Sequence, residues 1–294
     1  MQSIVIIGCG DIGRRVARRW QARKARVRGV SRNPATCEAM RESGIESVMA
    51  DLDDPASLAG LAVNGAIVYY FAPPPREGTT DTRLRNWLLS LDEHNLPQRI
   101  VLISTTAVYG DSGGEWVTET SPLQPGTDRG RRRLDAETTL QDWAGRTGVP
   151  AVILRVPGIY GPGRLPRARL EKGLPVLNEA ESGFTNRIHS EDLADICVAA
   201  AERGKAGEVY NVSDGRPGTM TGWFNAVADH LGLPRPRQIS LAEAQTEVTA
   251  GMLSYLKESR KISNKKLLEE LSVELRFADL KVGLKNCDSD QEPG

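Results

Sequence analysis

The sequence of 294 residues predicts an α/β fold, in which a doubly wound parallel sheet carries a smaller C-terminal lobe. Two observations support this fold class. Short apolar runs alternate with longer amphipathic segments as far as residue 156, and strands separated by helices of this length form right-handed βαβ units. Beyond residue 156 the alternation loosens into the turn-rich stretches PGIYGPGRLP and GLPRPR, which indicate a partly helical lobe.

The apolar runs predict strands, and the amphipathic segments between them predict helices. The strands cover residues 3–8, 25–30, 47–50, 66–71, 99–104, 151–156 and 208–212. The helices lie near residues 12–23, 35–43, 55–62, 80–94, 129–147 and 191–203. We expect residues 1–157, with part of 184–215, to form the core, and residues 158–285 to form mainly the lobe. The polar tail, residues 286–294, is expected to be disordered.

Composition and charge exclude several classes of protein. Apolar residues make up 39% and charged residues 26% of the chain, as in soluble globular proteins. The 38 basic residues balance 38 acidic ones, so no overall field attracts nucleic acid or an anionic membrane. The four cysteines include no C-x-x-C pair and no metal-ligand spacing. We expect a reduced, cytoplasmic protein that binds no metal, nucleic acid or membrane.

A glycine-rich turn follows the first predicted strand. Gly8, Gly10 and Gly13 form G-x-G-x-x-G at the start of a helix. The first glycine permits the tight turn, the second lets the backbone approach a pyrophosphate, and the third allows close contact between helix and strand. The helix N-terminus, with Asp11 and Ile12 in its first turn, then faces the phosphates. This pattern favours dinucleotide binding over a purely structural turn, and it predicts a Rossmann-type fold.

The end of the second predicted strand indicates which dinucleotide is bound. Sites that prefer NAD(H) place Asp or Glu there, about 20 residues beyond the glycines, to bind the ribose 2′-hydroxyl. This chain has Ser31 and Arg32 instead. A hydroxyl and a guanidinium suit a 2′-phosphate, which arginine binds through charge-assisted hydrogen bonds. The sequence therefore predicts that NADP(H) is preferred over NAD(H). The alternative is that Arg32 is an ordinary exposed loop arginine.

An ordered set of further motifs resembles the extended short-chain dehydrogenase/reductase family, the NAD(P)-dependent nucleotide-sugar epimerases and dehydratases. Besides the glycine loop, the matching pieces are DL at 51–52, FAPP at 71–74, STTAVYG at 104–110, RVPGIYGPG at 155–163 and RIHSED at 187–192. The resemblance implies that the cofactor site also includes these residues: Asp51, Leu52, Phe71, Ala72, Pro73, Ser104, Pro157 and Gly158.

The same resemblance implies a small-molecule substrate, for which a nucleotide sugar is the leading class. Tyr160, like Tyr109, lies in a loop that faces the substrate in this fold. His189 comes just before a helix and is a candidate substrate-binding residue or general acid–base, and its alternative role is to anchor residues 184–190 to the sheet edge. Arg164 and Arg167 follow the Gly-Pro-Gly turn. They are candidates to hold a diphosphate, and the alternative is a solvated loop. We expect a monomer or a homodimer.

The segment DRGRRRLDAE, residues 128–137, departs from the family pattern. In the family this helix carries Tyr-x-x-x-Lys, in which the tyrosine exchanges the proton that accompanies hydride transfer and the lysine binds the nicotinamide ribose. Here Arg129 and Arg133 stand in that register. Arg133 still offers hydrogen-bond donors and a positive charge to the ribose. Arg129 cannot replace tyrosine, because a guanidinium with a pKa above about 12 has no neutral form to accept a proton near pH 7.

The residues after the fifth predicted strand indicate which chemistry is retained. Thr105 falls where the family places its catalytic Ser or Thr. Thr106 and Ala107 stand where sugar-nucleotide dehydratases carry an acidic pair, which argues against water elimination. Tyr109 is a candidate replacement for the missing tyrosine. Two functions stay open: an NADP(H)-dependent oxidoreductase or epimerase with a rearranged proton relay, and a catalytically silent NADP(H)-binding sensor.

Overall fold

A seven-stranded parallel sheet forms the centre of the computed structural model, which describes residues 1–248, 253 and 258–289. The first part of the chain contains β1 (Ser3–Ile7), α1 (Asp11–Ala22), β2 (Arg26–Ser31), α2 (Pro34–Glu42), β3 (Glu46–Met49), β4 (Ile67–Tyr70), α3 (Thr82–Leu89), β5 (Arg99–Thr105), β6 (Trp116–Val117), α4 (Asp128–Thr147) and β7 (Ala151–Val156). The remainder contains β8 (Gly158–Tyr160), α5 (Arg167–Glu171), β9 (Val176–Leu177), β10 (Phe184–Thr185), β11 (Arg187–His189), α6 (Ser190–Arg203), β12 (Val209–Asn211), β13 (Gly218–Thr219), α7 (Met220–Leu231), β14 (Gln238–Ile239), α8 (Leu241–Glu247), β15 (Lys261–Ile262), α9 (Lys265–Leu271) and α10 (Leu280–Asn286).

The strand order of the central sheet is β12-β7-β5-β4-β1-β2-β3. The chain runs from β1 outwards to β3, returns to β4 on the other side of β1, and continues outwards to β12. Every neighbouring pair in this sheet is parallel. This order confirms the predicted doubly wound sheet, in which ligands bind beyond the carboxyl ends of the strands where the order reverses.

Helices cover both faces of the sheet. Ile4 and Ile6 of β1 belong to one apolar cluster, which also contains residues of α1, α2, α6 and α9. Val5 and Ile7 belong to a second cluster, which contains residues of α3 and α4. Successive side chains of a strand point to opposite faces, so β1 is buried on both sides and is apolar throughout its last four residues.

Two predicted helices are shorter in the structure. The region 55–62 forms only a 3-10 turn, Pro55–Leu58, because Asp54 caps its start and Gly60 adopts a left-handed φ of +81° soon after its end. The predicted helix 80–94 is α3, which begins after the N-cap Asp81 and ends before Ser90. Both differences come from local caps, which set helix ends more sharply than the apolar pattern does.

The second half of the chain adds a smaller apolar cluster between α5, α7 and α10, built around Tyr160, Trp223 and Phe224. Short strand pairs connect this lobe to the core, and β15 pairs with β6. Of the predicted tail, Asn286 ends α10 and Cys287–Ser289 forms a 3-10 turn, whereas residues 290–294 lie outside the described residues. Within the described part of the chain, no helix is long and apolar enough to cross a membrane.

A buried ion pair joins α4 to the sheet. The Glu137 carboxylate on α4 accepts hydrogen bonds from Nε and Nη2 of Arg155 on β7, at 3.1 and 2.7 Å, and from the Ser104 hydroxyl. The two charged side chains are only 2% and 4% exposed. Arg155 Nη1 also donates to the Tyr109 hydroxyl at 2.8 Å. Removing one partner of such a pair leaves a buried charge uncompensated.

We predict that Glu137→Ala lowers the free energy of unfolding by about 3–5 kcal/mol, because Arg155 loses its buried counterion. Urea denaturation followed by circular dichroism measures this. The control is Glu38→Ala, which breaks the exposed ion pair between Glu38 and Arg41 and costs less than about 1 kcal/mol. Equal losses of unfolding free energy in the two variants would show that the buried Glu137–Arg155 pair stabilises the fold no more than an exposed ion pair does.

Candidate functional site

The glycine loop between β1 and α1 has the geometry of a ligand cradle. Gly8 has a φ of +83°, and a Cβ there would lie 2.5 Å from the backbone nitrogen of Ala72. A Cβ on Gly13 would lie 3.1 Å from Ile6 Cγ2, so this glycine lets α1 pack closely on β1. A Cβ on Gly10 would meet no atom of the described residues within 4 Å. Gly10 therefore faces open space, where the predicted pyrophosphate fits.

A cavity of about 220 Å³, called the first cavity, lies beside this loop at the carboxyl ends of β1 to β4. Its lining includes seven of the predicted cofactor residues: Gly8, Ser31, Arg32, Asp51, Leu52, Ala72 and Pro73. The other lining residues are Ile7, Val30, Asn33, Ala50 and Arg83. The size and the apolar walls suit the adenosine part of a dinucleotide.

The charged residues of the first cavity are ion-paired. Arg32 Nη1 lies 3.0 Å from an oxygen of Asp53 and 3.5 Å from one of Asp51. Arg83 donates to both oxygens of Asp53, from Nε at 2.8 Å and from Nη2 at 2.6 Å. The hydrogen bonds from Arg83 lower the pKa of Asp53 below its usual value. Sequence reasoning missed Arg83, because it belongs to no motif and only the packing of α3 brings it here.

A second cavity, of about 590 Å³, lies beyond the carboxyl ends of β5 and β7. Its lining includes six predicted site residues: Ser104, Thr105, Arg129, Arg133, Pro157 and Gly158. Residues that were not predicted also line it: Ile103, Thr106, Ala107, Val156, Ile159, Gly183, Phe184, Thr185, Asn186, Met220, Glu258 and Arg260. Three guanidinium groups and one carboxylate among these described residues give the cavity an excess of positive charge.

Arg133 stands where the two cavities meet. It lines the second cavity, and its Nη1 lies 3.5 Å from the carbonyl oxygen of Ala72, which lines the first. Burial lowers the pKa of the Arg133 guanidinium, and the nearby carboxylate of Asp81 opposes this shift. Gly130 makes this approach of α4 possible, since a Cβ there would lie 2.9 Å from the carbonyl oxygen of Ala107.

Arg260 and Glu258 enter the second cavity from a distant part of the chain. Arg260 Nη1 lies 2.9 Å from Glu258 Oε2 and also donates to the carbonyl oxygen of Gly110. The buried Asn186 holds this segment, because its Nδ2 donates to the Arg260 carbonyl oxygen at 3.0 Å. Asn186 directly precedes the RIHSED motif, so this motif could have identified Asn186 as a candidate from the sequence. Nothing in the sequence indicated Arg260, which depends on the pairing of β15 with β6.

The structure separates the two predicted catalytic hydroxyls. Thr105 ends β5, lines the second cavity, and accepts a hydrogen bond from the backbone of Ala107 at 3.3 Å. Tyr109 is buried outside the described lining, and burial raises its pKa. Its hydroxyl accepts from Arg155 and donates to Asn211, both at 2.8 Å. The Tyr109 hydroxyl is thus engaged in the core, and its role as a proton relay stays a prediction.

The predicted substrate residues Tyr160 and His189 also lie outside the lining of the second cavity. Tyr160 packs in the lobe, where its ring contacts His189 and Trp223 edge to face. The Nδ1 of His189 accepts from the backbone nitrogen of Glu191 at 3.2 Å and so caps α6. Burial lowers the pKa of His189 to about 4. The structure thus favours the anchoring role of His189 over a catalytic one.

The predicted diphosphate-binding arginines lie elsewhere as well. Arg164 binds the carboxylate of Asp11 in the first turn of α1, so it reaches the glycine loop instead of the second cavity. The ion pair with Arg164 and the one with Arg15 lower the pKa of Asp11. Arg167 is exposed and lies 3.6 Å from Glu171, one turn along α5. Arg167 therefore matches the solvated-loop alternative.

Two further predicted cofactor residues support the glycine loop from behind. Ile12 is buried in the apolar cluster beneath α1. Phe71 follows β4 and packs its ring 5.4 Å from that of Tyr69. Neither belongs to the described lining of the first or the second cavity, so their predicted contact with the cofactor stays a prediction.

This chain is similar to several known proteins. The model of the NAD dependent epimerase/dehydratase family matches residues 4–213. Protein YeeZ of Escherichia coli (strain K12) is 31% identical over 248 residues, which cover 81% of this chain and 86% of YeeZ. The solved structure of a functionally unknown conserved protein from Silicibacter pomeroyi DSS is 31% identical, with a TM-score of 0.84 over 99% of each chain. Human dTDP-D-glucose 4,6-dehydratase is 28% identical over 123 residues, 39% of this chain and 35% of that enzyme.

We predict that Gly10→Val weakens the binding of NADPH and NADH by at least about a hundredfold, because its side chain occupies the space beside the loop where the pyrophosphate fits. Fluorescence titration measures the affinity. The melting temperature should change by less than about 4 °C, since a Cβ at this position meets no described atom. The matched control is Gly145→Val, which also adds a side chain in open space but lies on α4 away from the cavities. Normal cofactor binding by Gly10→Val would mean that the loop is only structural.

Proposed function

We propose that this chain, which belongs to the NAD-dependent epimerase/dehydratase family, binds NADP(H) across its two cavities and acts on the carbonyl or alcohol group of a nucleotide sugar or a similar small molecule. The observation that carries the proposal is the contact between Arg133 and the Ala72 carbonyl oxygen. Because this contact brings the linings of the two cavities together, one elongated dinucleotide can reach both, with its adenosine in the first cavity and its nicotinamide end in the second.

The described residues of the second cavity can bind the substrate and the cofactor for hydride transfer, but they lack the family's usual proton-transferring group. When bound, the cofactor supplies or accepts the hydride. Thr105 offers a hydroxyl to the substrate oxygen, and Arg133 offers donors to the nicotinamide ribose. Arg129, on the same face of α4, carries a positive charge that stabilises negative charge on the substrate oxygen. It cannot accept a proton near pH 7, so the usual acid–base step of the family has no counterpart at this position.

A nucleotide sugar is supported by two independent observations. Human dTDP-D-glucose 4,6-dehydratase, which matches part of this chain, is named for a nucleotide-sugar substrate. Arg129 and Arg260 line the second cavity, and guanidinium groups bind the diphosphate of such a substrate through charge-assisted hydrogen bonds. Water elimination is a poor fit, since Thr106 and Ala107 provide no acid–base pair. Hydride transfer or epimerisation is the better fit.

A catalytically silent NADP(H)-binding sensor is the second candidate function. It is favoured by two features: arginine occupies the position predicted for the proton-transferring tyrosine, and the Tyr109 hydroxyl is engaged with Arg155 and Asn211. The two functions differ in a simple experiment. An enzyme oxidises NADPH with some member of a panel of carbonyl compounds, whereas a sensor binds NADPH without consuming it.

We predict that NADPH binds more tightly than NADH, and that Arg32→Ala weakens NADPH binding by about ten- to a hundredfold with little effect on NADH, because one charged hydrogen-bond pair is lost. Isothermal titration calorimetry gives all four affinities. Arg26→Ala is the control, since Arg26 lies at the start of β2, the strand that Arg32 follows, and pairs with Glu46 at 2.8 Å away from the cavity lining. Equal affinities of the unmodified protein for NADPH and NADH would refute the preference.

We predict that the double variant Arg129→Tyr/Arg133→Lys reduces a small carbonyl compound with NADPH faster than the unmodified protein does. The new tyrosine supplies the missing proton donor, and general acid–base catalysis contributes about 10²–10⁴-fold. Absorbance at 340 nm follows NADPH consumption. Tyr109→Phe should leave the rate of the double variant unchanged, because the Tyr109 hydroxyl lies in the core.

The outcome also discriminates between the two candidate functions. Slow turnover by the unmodified protein that rises in the double variant supports an enzyme with a weakened proton relay. NADPH binding without turnover in either protein supports the sensor. Fast turnover by the unmodified protein that survives Thr105→Val would contradict the roles given to both Thr105 and Arg129.

A further inference from the structure

An anion, the Asp53 carboxylate, is held between two cations at the edge of the first cavity. The Asp53 carboxylate accepts two hydrogen bonds from Arg83, at 2.8 and 2.6 Å, and a third from Arg32 at 3.0 Å. Both arginines line the cavity, and Asp53 is not among its described lining residues. The fork geometry that binds a carboxylate in this way also binds a phosphate. The pair of arginines is therefore an anion-binding site already formed at the edge of the cavity.

Arg83 is held more firmly than the anion it binds. Its side chain is only 15% exposed, and its Nη1 donates to the carbonyl oxygens of Pro73 and Pro74 at 3.1 and 3.4 Å. These bonds leave Nε and Nη2 directed at Asp53. Asp53 itself is 41% exposed and lies on the loop after β3. An incoming anion of higher charge can therefore replace Asp53 while Arg83 stays in place.

We propose that Arg83 and Arg32 together form the binding site for the 2′-phosphate of the adenosine ribose, and that Asp53 is the internal counterion which this phosphate displaces. The proposal rests on the proposed NADP(H) binding and adds a second phosphate ligand from α3. A phosphate monoester carries about −1.5 to −2 charge at pH 7, more than the single charge of a carboxylate, so the exchange favours the phosphate. A ribose 2′-hydroxyl has no such charge and does not displace Asp53.

The nearest alternative is that the Arg83–Asp53 pair only ties the β3 loop to α3. The two roles differ in what happens when Asp53 loses its charge. As a structural tie, Asp53 matters equally for every adenine nucleotide. As a displaceable counterion, it competes only with a nucleotide that carries a 2′-phosphate. Neutralising Asp53 should then strengthen binding of that nucleotide selectively.

The experiment compares adenosine 2′,5′-bisphosphate with adenosine 5′-monophosphate by calorimetry on the full chain. We expect the unmodified protein to bind the bisphosphate about ten- to a hundredfold more tightly. Arg83→Ala should remove most of this difference by weakening the bisphosphate alone. Asp53→Asn should strengthen bisphosphate binding severalfold and leave the monophosphate unchanged. Arg85→Ala is the matched control, because Arg85 lies on the same helix, 46% exposed, and pairs with Asp135 outside the first cavity.

Each outcome decides between the proposals. If the unmodified protein binds both nucleotides equally, the NADP(H) preference and the Arg83 site fail together. If it prefers the bisphosphate and Arg83→Ala keeps that preference, the Arg83 site alone fails. An unchanged bisphosphate affinity in Asp53→Asn would overturn the role of Asp53 as a displaced counterion. If Arg83→Ala does not fold, Arg83→Lys serves instead, since it keeps the charge and loses the fork, and a partial loss of selectivity is expected.

Discussion

The buried ion pair between Glu137 and Arg155 determines how α4 meets the sheet. Arg129, Arg133 and Glu137 follow one another at intervals of four residues, so they form one stripe along α4. Their environment changes steadily along this stripe: Arg129 is exposed at the mouth of the second cavity, Arg133 is half-buried, and Glu137 is fully buried. Because Glu137 is fixed in the core, the helix cannot rotate, and Arg133 is kept at the junction of the two cavities.

The fold and the glycine loop could be predicted because their signals are local. The strands of the central sheet are buried on both faces, which makes them short continuous apolar runs, and glycines occur where the backbone needs a positive φ or a close approach, as at Gly8 and Gly13. The residues that follow β2 and β4 line the first cavity for a topological reason. Parallel strands bring their carboxyl ends to one edge, so residues distant in sequence become neighbours.

The side chains that complete the cavities could not be predicted, since they depend on packing between distant segments. Arg83 reaches the first cavity through α3, and Arg260 reaches the second because β15 pairs with β6. Residue type alone also leaves the role of a side chain open. Tyr109 looked suitable for catalysis, but its hydroxyl completes the buried network of Arg155 and Asn211. Arg164 looked suitable for a substrate diphosphate, but it neutralises Asp11 at the start of α1.

The arginines in the first turns of α4 are unfavourable for the helix by itself. A cation near a helix N-terminus costs about 0.3–1 kcal/mol, and like charges four residues apart repel each other. The fold offsets part of this cost: Thr127 caps the helix at the backbone nitrogen of Gly130, and Asp128 binds Arg131. Burial of Arg133 adds to the cost, and the carboxylate of Asp81 compensates for it only partly. On the proposed function, an anionic dinucleotide at the junction of the cavities adds counter-charge for the buried guanidinium of Arg133. On the same proposal, the arginines of this segment favour the binding of an anionic dinucleotide through their charge, and they disfavour acid–base chemistry because a guanidinium has no neutral form near pH 7.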